Sequence, residues 1–554
     1  MSDVKIIQRD PARDAQFVAE VTAKVQGGDI AGAMALARHG LDNGVIHPLL
    51  LNLRAAWHAG AGRDGDALDD LRIAFALDAN DVFVRNALGV ALGRMGKWDE
   101  ALPVLKQGVA LAPDFVPAQF ALGWAYEFTG ELKLAGYHFK QAAGLDANFA
   151  PAWAHLASLA YRRSDWKACE DYAAKALAAD PHQPVALTAL TGAALARRDP
   201  EGAEGLLARL GDFARLPETE AALAETMLGD LRDAQKRTDD AFAAYQRRNR
   251  AKFAAAKAQF DIPGRTATDY VTWLADYYAQ AQGLAPPPTE PDPRDGAMGH
   301  VFLVGFPRSG TTLLENVLAS HAQICALDER DTLGEAARAY LTDEAGRKRL
   351  EAITPEEIAQ QRAIYWQRVK TFGADVKGKT FVDKYPLSTI KLPLVAKLFP
   401  EAKILFALRD PRDVVWSCYR RIFALNTSMF ELLDLERGAR FYDAVMKLAA
   451  IYRARLNLAW HDVRYESLVA DFDGETRAIS AFLGLDFDER MRDFAELSKA
   501  RTIKTPSSTQ VVRGLYKGSG QWEPYAEHLA PALAILAPWV EKFGYADVLA
   551  NGPG

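Results

Sequence analysis

Small and apolar positions in the first half of the chain recur every 34 residues. Leu88-Gly89, Leu122-Gly123, Leu156-Ala157 and Leu190-Thr191 keep one phase of that period. Ala33, Ala67, Ala101, Ala135, Cys169 and Ala203 keep a second, and Pro113, Ala147 and Pro181 a third that marks turns. The pattern predicts helical hairpins. Small residues let the two helices of a hairpin approach, and larger ones fill the gap to the next hairpin. About five units are predicted between residues 48 and 215, with a weaker one before them. A looser unit follows through Ala241, Phe242 and Tyr245, its phase slipped by four residues.

Beyond residue 250 the pattern stays helical but leaves the period. The stretch APPPTEPDPRDG, residues 285–296, reads as a linker. After it, compact apolar runs (HVFLVGF, KTFVDK, KILFALRD) alternate with longer helical patterns, the rhythm of an α/β domain with a mostly parallel sheet. The expected architecture is multi-domain. An all-α array spans residues 1–250, a helix and Pro-rich linker 251–297, and a P-loop-like α/β domain 298–545.

Composition narrows the function classes. Hydrophobic residues make up 49% and charged residues 25% of the 554, which excludes disorder as the main state. A net charge of −6 argues against a uniformly basic nucleic-acid coat. Cys169, Cys325 and Cys418 lie far apart, and no His/Cys/Asp/Glu set has zinc-ligand spacing. The opening MSDVKIIQRDPARD lacks a signal peptide's apolar core. The apolar stretch Leu529–Val540 is short and holds two prolines, so no membrane span is expected. The expectation is a cytoplasmic protein with no metal, no nucleic-acid partner and no membrane span.

The chemistry concentrates where His300–Phe306, a buried-strand pattern, runs through Gly305-Phe306-Pro307-Arg308-Ser309-Gly310-Thr311-Thr312 into an apolar helix face. Strand, glycine loop and helix aim backbone N–H groups at a phosphate. The spacing is that of G-x-x-x-x-G-K-[ST], with Thr311 in place of the lysine that a nucleoside triphosphatase needs. The loop cation is instead Arg308. A second buried run, Ile404–Leu408, ends at Arg409-Asp410-Pro411-Arg412-Asp413. Asp410 suits the N-cap, Pro411 N1 and Asp413 N3 of a following helix. On that helix Ser417 and Arg421, four apart, would share a face.

These motifs carry resemblances. The 34-residue period, with Leu122-Gly123, Tyr126, Ala135, Phe139, and then Trp153 with Leu156, resembles the tetratricopeptide repeat. PRSGTT after a strand resembles the 5′-phosphosulfate loop of sulfotransferases, which use 3′-phosphoadenosine 5′-phosphosulfate (PAPS) as donor. The resemblance assigns Arg308, Ser309, Gly310, Thr311, Thr312 and Leu313 to the 5′ end of that donor, and Arg409, Ser417 and Arg421 to its 3′-phosphate. Lys384, after the run Phe381-Val382-Asp383, is expected as a second cation beside Arg308. Glu329 follows the loop arginine at the distance of the general base in protein-tyrosine sulfotransferases. His321 and His461 are the histidine alternatives, and neither has motif support. Tyr465 in Tyr465-Glu466-Ser467-Leu468 resembles a donor-packing segment of that family, Ser507 its donor-closing loop, and Lys517 a 3′-phosphate lysine of cytosolic sulfotransferases.

The implied function is sulfuryl transfer from PAPS to a hydroxyl, with a protein or peptide tyrosine as acceptor and the repeat array as its holder. Two alternatives stand beside it. One is transfer to a carbohydrate or small hydroxyl compound. The other is a non-catalytic repeat scaffold with an inactive nucleotide-binding domain.

Overall fold

The computed structural model describes residues 11–280, 292, 294–499, 515 and 518–546. By internal contacts the chain forms two compact units. The first comprises residues 1–161 and 166–190, and the second residues 162–165 and 191–554.

The first unit is all helix. Successive hairpins begin at Pro48, Val82, Val116 and Ala150, each 34 residues after the last, and their second helices at Asp64, Trp98, Leu132 and Trp166 keep the same step. The phase-locked small residues Ala33, Ala67, Ala101, Ala135 and Cys169 are fully or almost fully buried. Their size is dictated by packing. A Cβ added at Gly89 would lie 2.4 Å from Leu105, and one at Gly123 2.7 Å from Phe139. This is the tetratricopeptide-like architecture that the period predicts.

The second unit opens with the end of the repeats. Helix Glu218–Ala234 starts on the period, but it is 17 residues long where its counterparts have 13. The extra turn accounts for the four-residue slip before helix Thr238–Phe260. Arg248 of that second helix is buried. It donates to the carbonyl of Tyr419 at 2.5 Å and that of Arg420 at 2.9 Å, which ties the hairpin to the α/β core.

The core is a five-stranded parallel sheet of β1 (Gly299–Gly305), β2 (Ile324–Asp328), β3 (Thr380–Lys384), β4 (Lys403–Leu408) and β5 (Ala459–Arg464), in the order β2-β3-β1-β4-β5. Helices cover both faces, as an all-parallel sheet requires. Phe302, Val304, Phe381, Ile404 and Phe406 enter one apolar layer, and Val301, Leu303, Val382 and Leu405 the other. Among the described residues no helix is long and apolar enough to cross a membrane.

β1 is the first strand and sits in the middle, with β3 and β4 on its two sides. The chain leaves it in opposite directions, and ligands of such sheets collect at the carboxyl ends of the strands beside this reversal. All five carboxyl ends therefore face one region. Register sets Asp328 opposite Lys384, Gly305 opposite Ala407 and Leu408 opposite Arg464.

Candidate active site

The loop after β1 is shaped by backbone more than by side chains. Gly305 has φ +152°, and a Cβ there would meet the Ala407 carbonyl oxygen at 2.7 Å. Thr389 holds the same glycine from both sides, its hydroxyl accepting from Gly305 N–H at 3.0 Å and donating to the Gly305 carbonyl at 2.8 Å. Arg308 (φ +70°) and Gly310 (φ +90°) are left-handed, and a Cβ on Gly310 would lie 2.8 Å from the Tyr465 ring. Helix Thr311–Ala319 starts there, so the amides of Thr311, Thr312 and Leu313 lie in its first turn, where no carbonyl precedes them in the helix. Ser309, Thr311 and Thr312 are buried in the loop. Leu313 turns its side chain into the apolar layer under the helix, leaving its backbone as the part that faces the loop.

The structure gathers the second motif around this loop. Arg308 Nε donates to Ser417 Oγ at 3.0 Å. Arg409, at the end of β4, donates from Nη1 to the Arg308 carbonyl at 3.2 Å and from Nη2 to the Gly518 carbonyl, and stacks 5.0 Å from the Tyr465 ring. Among the described residues its buried Nε has no hydrogen-bond partner. An unmet charged donor in a buried site suits a bound anion, since leaving it bare is costly. Asp410 caps helix Pro411–Tyr419 and pairs with Arg412 at 2.6 Å. Asp413 does not cap. It accepts from Gly520 N–H at 2.8 Å and Trp522 N–H at 3.1 Å, and so pins the segment around Gly518 over Arg409.

One expectation of shared geometry fails. The helix ends at Tyr419, two residues before Arg421, so Ser417 and Arg421 are not stacked one turn apart on it. Arg421 instead lies 3.3 Å from Asp230 in helix Glu218–Ala234. Burial alone would push the Asp230 carboxyl up, but Arg421 and Arg420 outweigh it and hold the pKa below the usual range. Ser507 and Lys517 lie outside the described residues.

Glu329 and Lys384 meet at the carboxyl ends of β2 and β3. Lys384 is fully buried, with Nζ 2.5 Å from Asp328 and 2.9 Å from Glu329. Burial would lower its pKa, but the charges of Asp328, Glu329 and Glu315 prevail and raise it, so the ammonium persists at neutral pH. The Glu329 side chain is 35% exposed, and its backbone is left-handed at φ +41° with N–H donating to the Lys384 carbonyl at 2.9 Å. A partly accessible carboxylate beside a buried cation can take a proton from a bound hydroxyl.

The histidines lie elsewhere. His321 has its ring against the Asp486 carbonyl at 2.9 Å and Gln323 N–H at 3.0 Å. His461 sits mid-strand in β5, stacked on Phe482. Sequence reasoning passed over Glu315, which reaches Lys384 electrostatically from the loop helix. The available signal was the pair Glu315-Asn316 set between apolar residues in Leu313-Leu314-Glu315-Asn316-Val317. It also passed over Thr389 and the tertiary role of Asp413, which have no local signature. Among the described residues no group of three His, Cys, Asp or Glu is arranged to hold a metal ion.

Residues 300–489 match the model of the sulfotransferase family. An uncharacterized protein of Aquifex aeolicus is 27% identical over 264 residues, which cover 44% of this chain and 33% of that protein. Protein-tyrosine sulfotransferase 1 of Danio rerio is 25% identical over 272 residues, covering 46% of this chain and 74% of the relative. An omega-hydroxy-beta-dihydromenaquinone-9 sulfotransferase of Mycobacterium bovis is 28% identical over 149 residues, covering 25% of this chain and 38% of the relative. The chain thus spans a third of the length of the first of these relatives.

Proposed function

We propose that this chain, whose C-terminal half carries a sulfotransferase-family domain, transfers a sulfuryl group from PAPS to a hydroxyl acceptor, a protein or peptide tyrosine. The observation that carries the reading is the Glu329–Lys384 pair at 2.9 Å. It stands at the same sheet edge as a phosphate-type loop that has Thr311 where an ATPase has lysine.

PAPS supplies a sulfuryl group already activated as a mixed anhydride. The acceptor oxygen forms the new S–O bond, the S–O bond to the donor 5′-phosphate breaks, and adenosine 3′,5′-bisphosphate leaves. Glu329 takes the acceptor proton. Arg308 and Lys384 offset charge on the moving group and the leaving oxygen. The first turn of helix Thr311–Ala319 cradles the 5′ end, and Arg409 and Ser417 receive the 3′-phosphate with Tyr465 beside them. Arg421, paired with Asp230 at 3.3 Å, is not placed in this set. The repeat array holds the acceptor protein on its concave side, and the protein acts in the cytoplasm.

The test incubates the purified full chain with PAPS and a panel of tyrosine peptides, sugars, phenols and long-chain alcohols, with mass spectrometry of the products. Sulfated tyrosine peptide is the expected result. A second reading, transfer to a small or lipid-borne hydroxyl, is favoured by the similarity to the menaquinone sulfotransferase and predicts product only from the non-peptide acceptors. No product from any acceptor, with PAPS bound, would leave the non-catalytic scaffold.

A further inference from the structure

Adjacent residues at the end of β3 point to opposite faces of the sheet, and both grip the short turn that carries Glu329. On one face Lys384 pairs with Asp328 and Glu329, and its carbonyl accepts from Glu329 N–H. On the other face the Asp383 carboxylate accepts from the Thr332 hydroxyl at 2.6 Å. The same Asp383 oxygen accepts from Tyr365 at 2.7 Å, and the Tyr365 hydroxyl lies 2.8 Å from His300 Nε2. With its own hydrogen committed to Asp383, the Tyr365 oxygen accepts from His300, which requires a hydrogen on Nε2. All four side chains are buried, and Trp366, Phe381 and Phe399 surround His300.

This chain of hydrogen bonds lies behind the site and touches none of the groups assigned to donor or acceptor. Its far end is Thr332, three residues after Glu329. Glu329 itself is held in a left-handed backbone that a residue with a side chain rarely adopts, and such conformations persist only where the surroundings over-determine them. Lys384 fixes the turn at its start and Asp383 at its end, while Lys391 holds Asp331 between them at 2.5 Å.

We infer that the Thr332–Asp383 hydrogen bond, backed by Tyr365 and His300, is a clamp that positions Glu329 for proton transfer. Thr332 and Asp383 are thus positioning residues for the reaction. The inference rests on Glu329 being the base. A buried hydrogen bond to a carboxylate in a dry surround is strong and directional, so its loss lets the turn relax away from the left-handed geometry.

The experiment is a double-mutant cycle on the full chain, with kcat at saturating PAPS, donor KM and binding of adenosine 3′,5′-bisphosphate as readouts. Thr332→Val should lower kcat about 10-fold or more, with donor KM and bisphosphate binding unchanged. Thr332→Ser, which keeps the hydroxyl, should restore kcat. In a Glu329→Gln background, Thr332→Val should cost nothing further, because the group it positions is gone. Wild-type kcat in Thr332→Val overturns the inference, as does an equal loss in both backgrounds. A Glu329→Gln enzyme with wild-type kcat overturns the base assignment itself, and that result is read on the single variant alone.

Discussion

Glu329→Gln keeps the shape of the side chain and removes its capacity to take a proton, so it separates chemistry from folding. The structure sets both magnitudes. Glu329 is about one-third exposed, and its partner Lys384 keeps Asp328 at 2.5 Å. Losing a screened ion pair of this kind costs roughly 0–1 kcal/mol of stability. Losing a positioned general base lowers turnover by about 10²–10⁴-fold, or about 3–5 kcal/mol on the barrier. Thermal unfolding should therefore hardly move while kcat falls by orders of magnitude. Lys384→Ala makes the contrast. Lys384 has no exposed surface and anchors two carboxylates, and breaking such a buried set costs about 3–5 kcal/mol of stability. The assay is the initial rate of acceptor sulfation at saturating PAPS, run beside a melting curve for each variant. His321→Ala and His461→Ala serve as controls and should stay active. Wild-type turnover by Glu329→Gln, with one histidine variant dead, would refute the reasoning and identify a histidine-type enzyme.

Arg409→Ala should weaken binding of adenosine 3′,5′-bisphosphate by about 1.5–3 kcal/mol in calorimetry, and the intact protein should bind that nucleotide far more tightly than ATP. Equal affinity for the two would contradict a lysine-free loop selective for PAPS. Activity should persist in EDTA, because buried Lys384 and the arginines supply the positive charge; loss of activity restored by magnesium would contradict the charge scheme. Burial pushes the Asp383 carboxyl up to about 6. Between about pH 4 and 6 the native state then keeps a proton that the unfolded chain has lost, so stability from this group falls as pH rises through 6, by about 3 kcal/mol in all. In urea unfolding at about pH 4.5 and 7.5, Asp383→Asn should therefore gain on wild type at the higher pH; parallel pH profiles would contradict it.

The spacing of small residues was enough to draw the repeat hairpins, because a helical hairpin is a local object. The requirement at Gly89 or Gly123 is close approach to a residue only 16 positions on, Leu105 or Phe139, and the chain repeats that requirement at a fixed step. The strand-loop-helix at Gly305–Thr312 and the capped helix after Arg409 were legible for the same reason, since glycine, Asp-Pro and short apolar runs act within a few bonds.

What lay beyond the sequence was which residues meet across elements. That Arg308 reaches Ser417, 109 positions away, and that Lys384 sits opposite Asp328 follow from strand order and register, which set distant segments side by side. Arg421 is the instructive case. A four-residue spacing implies a shared helical face only while the helix lasts, and this one stops at Tyr419, leaving the guanidinium to Asp230 of the last repeat hairpin. Glu315 and Asp383 were hidden differently. Each is an acidic residue that follows two apolar ones, but its partner is chosen by the opposite wall of the fold. The burial that makes these carboxylates consequential exists only once the sheet and its two layers of helices have assembled.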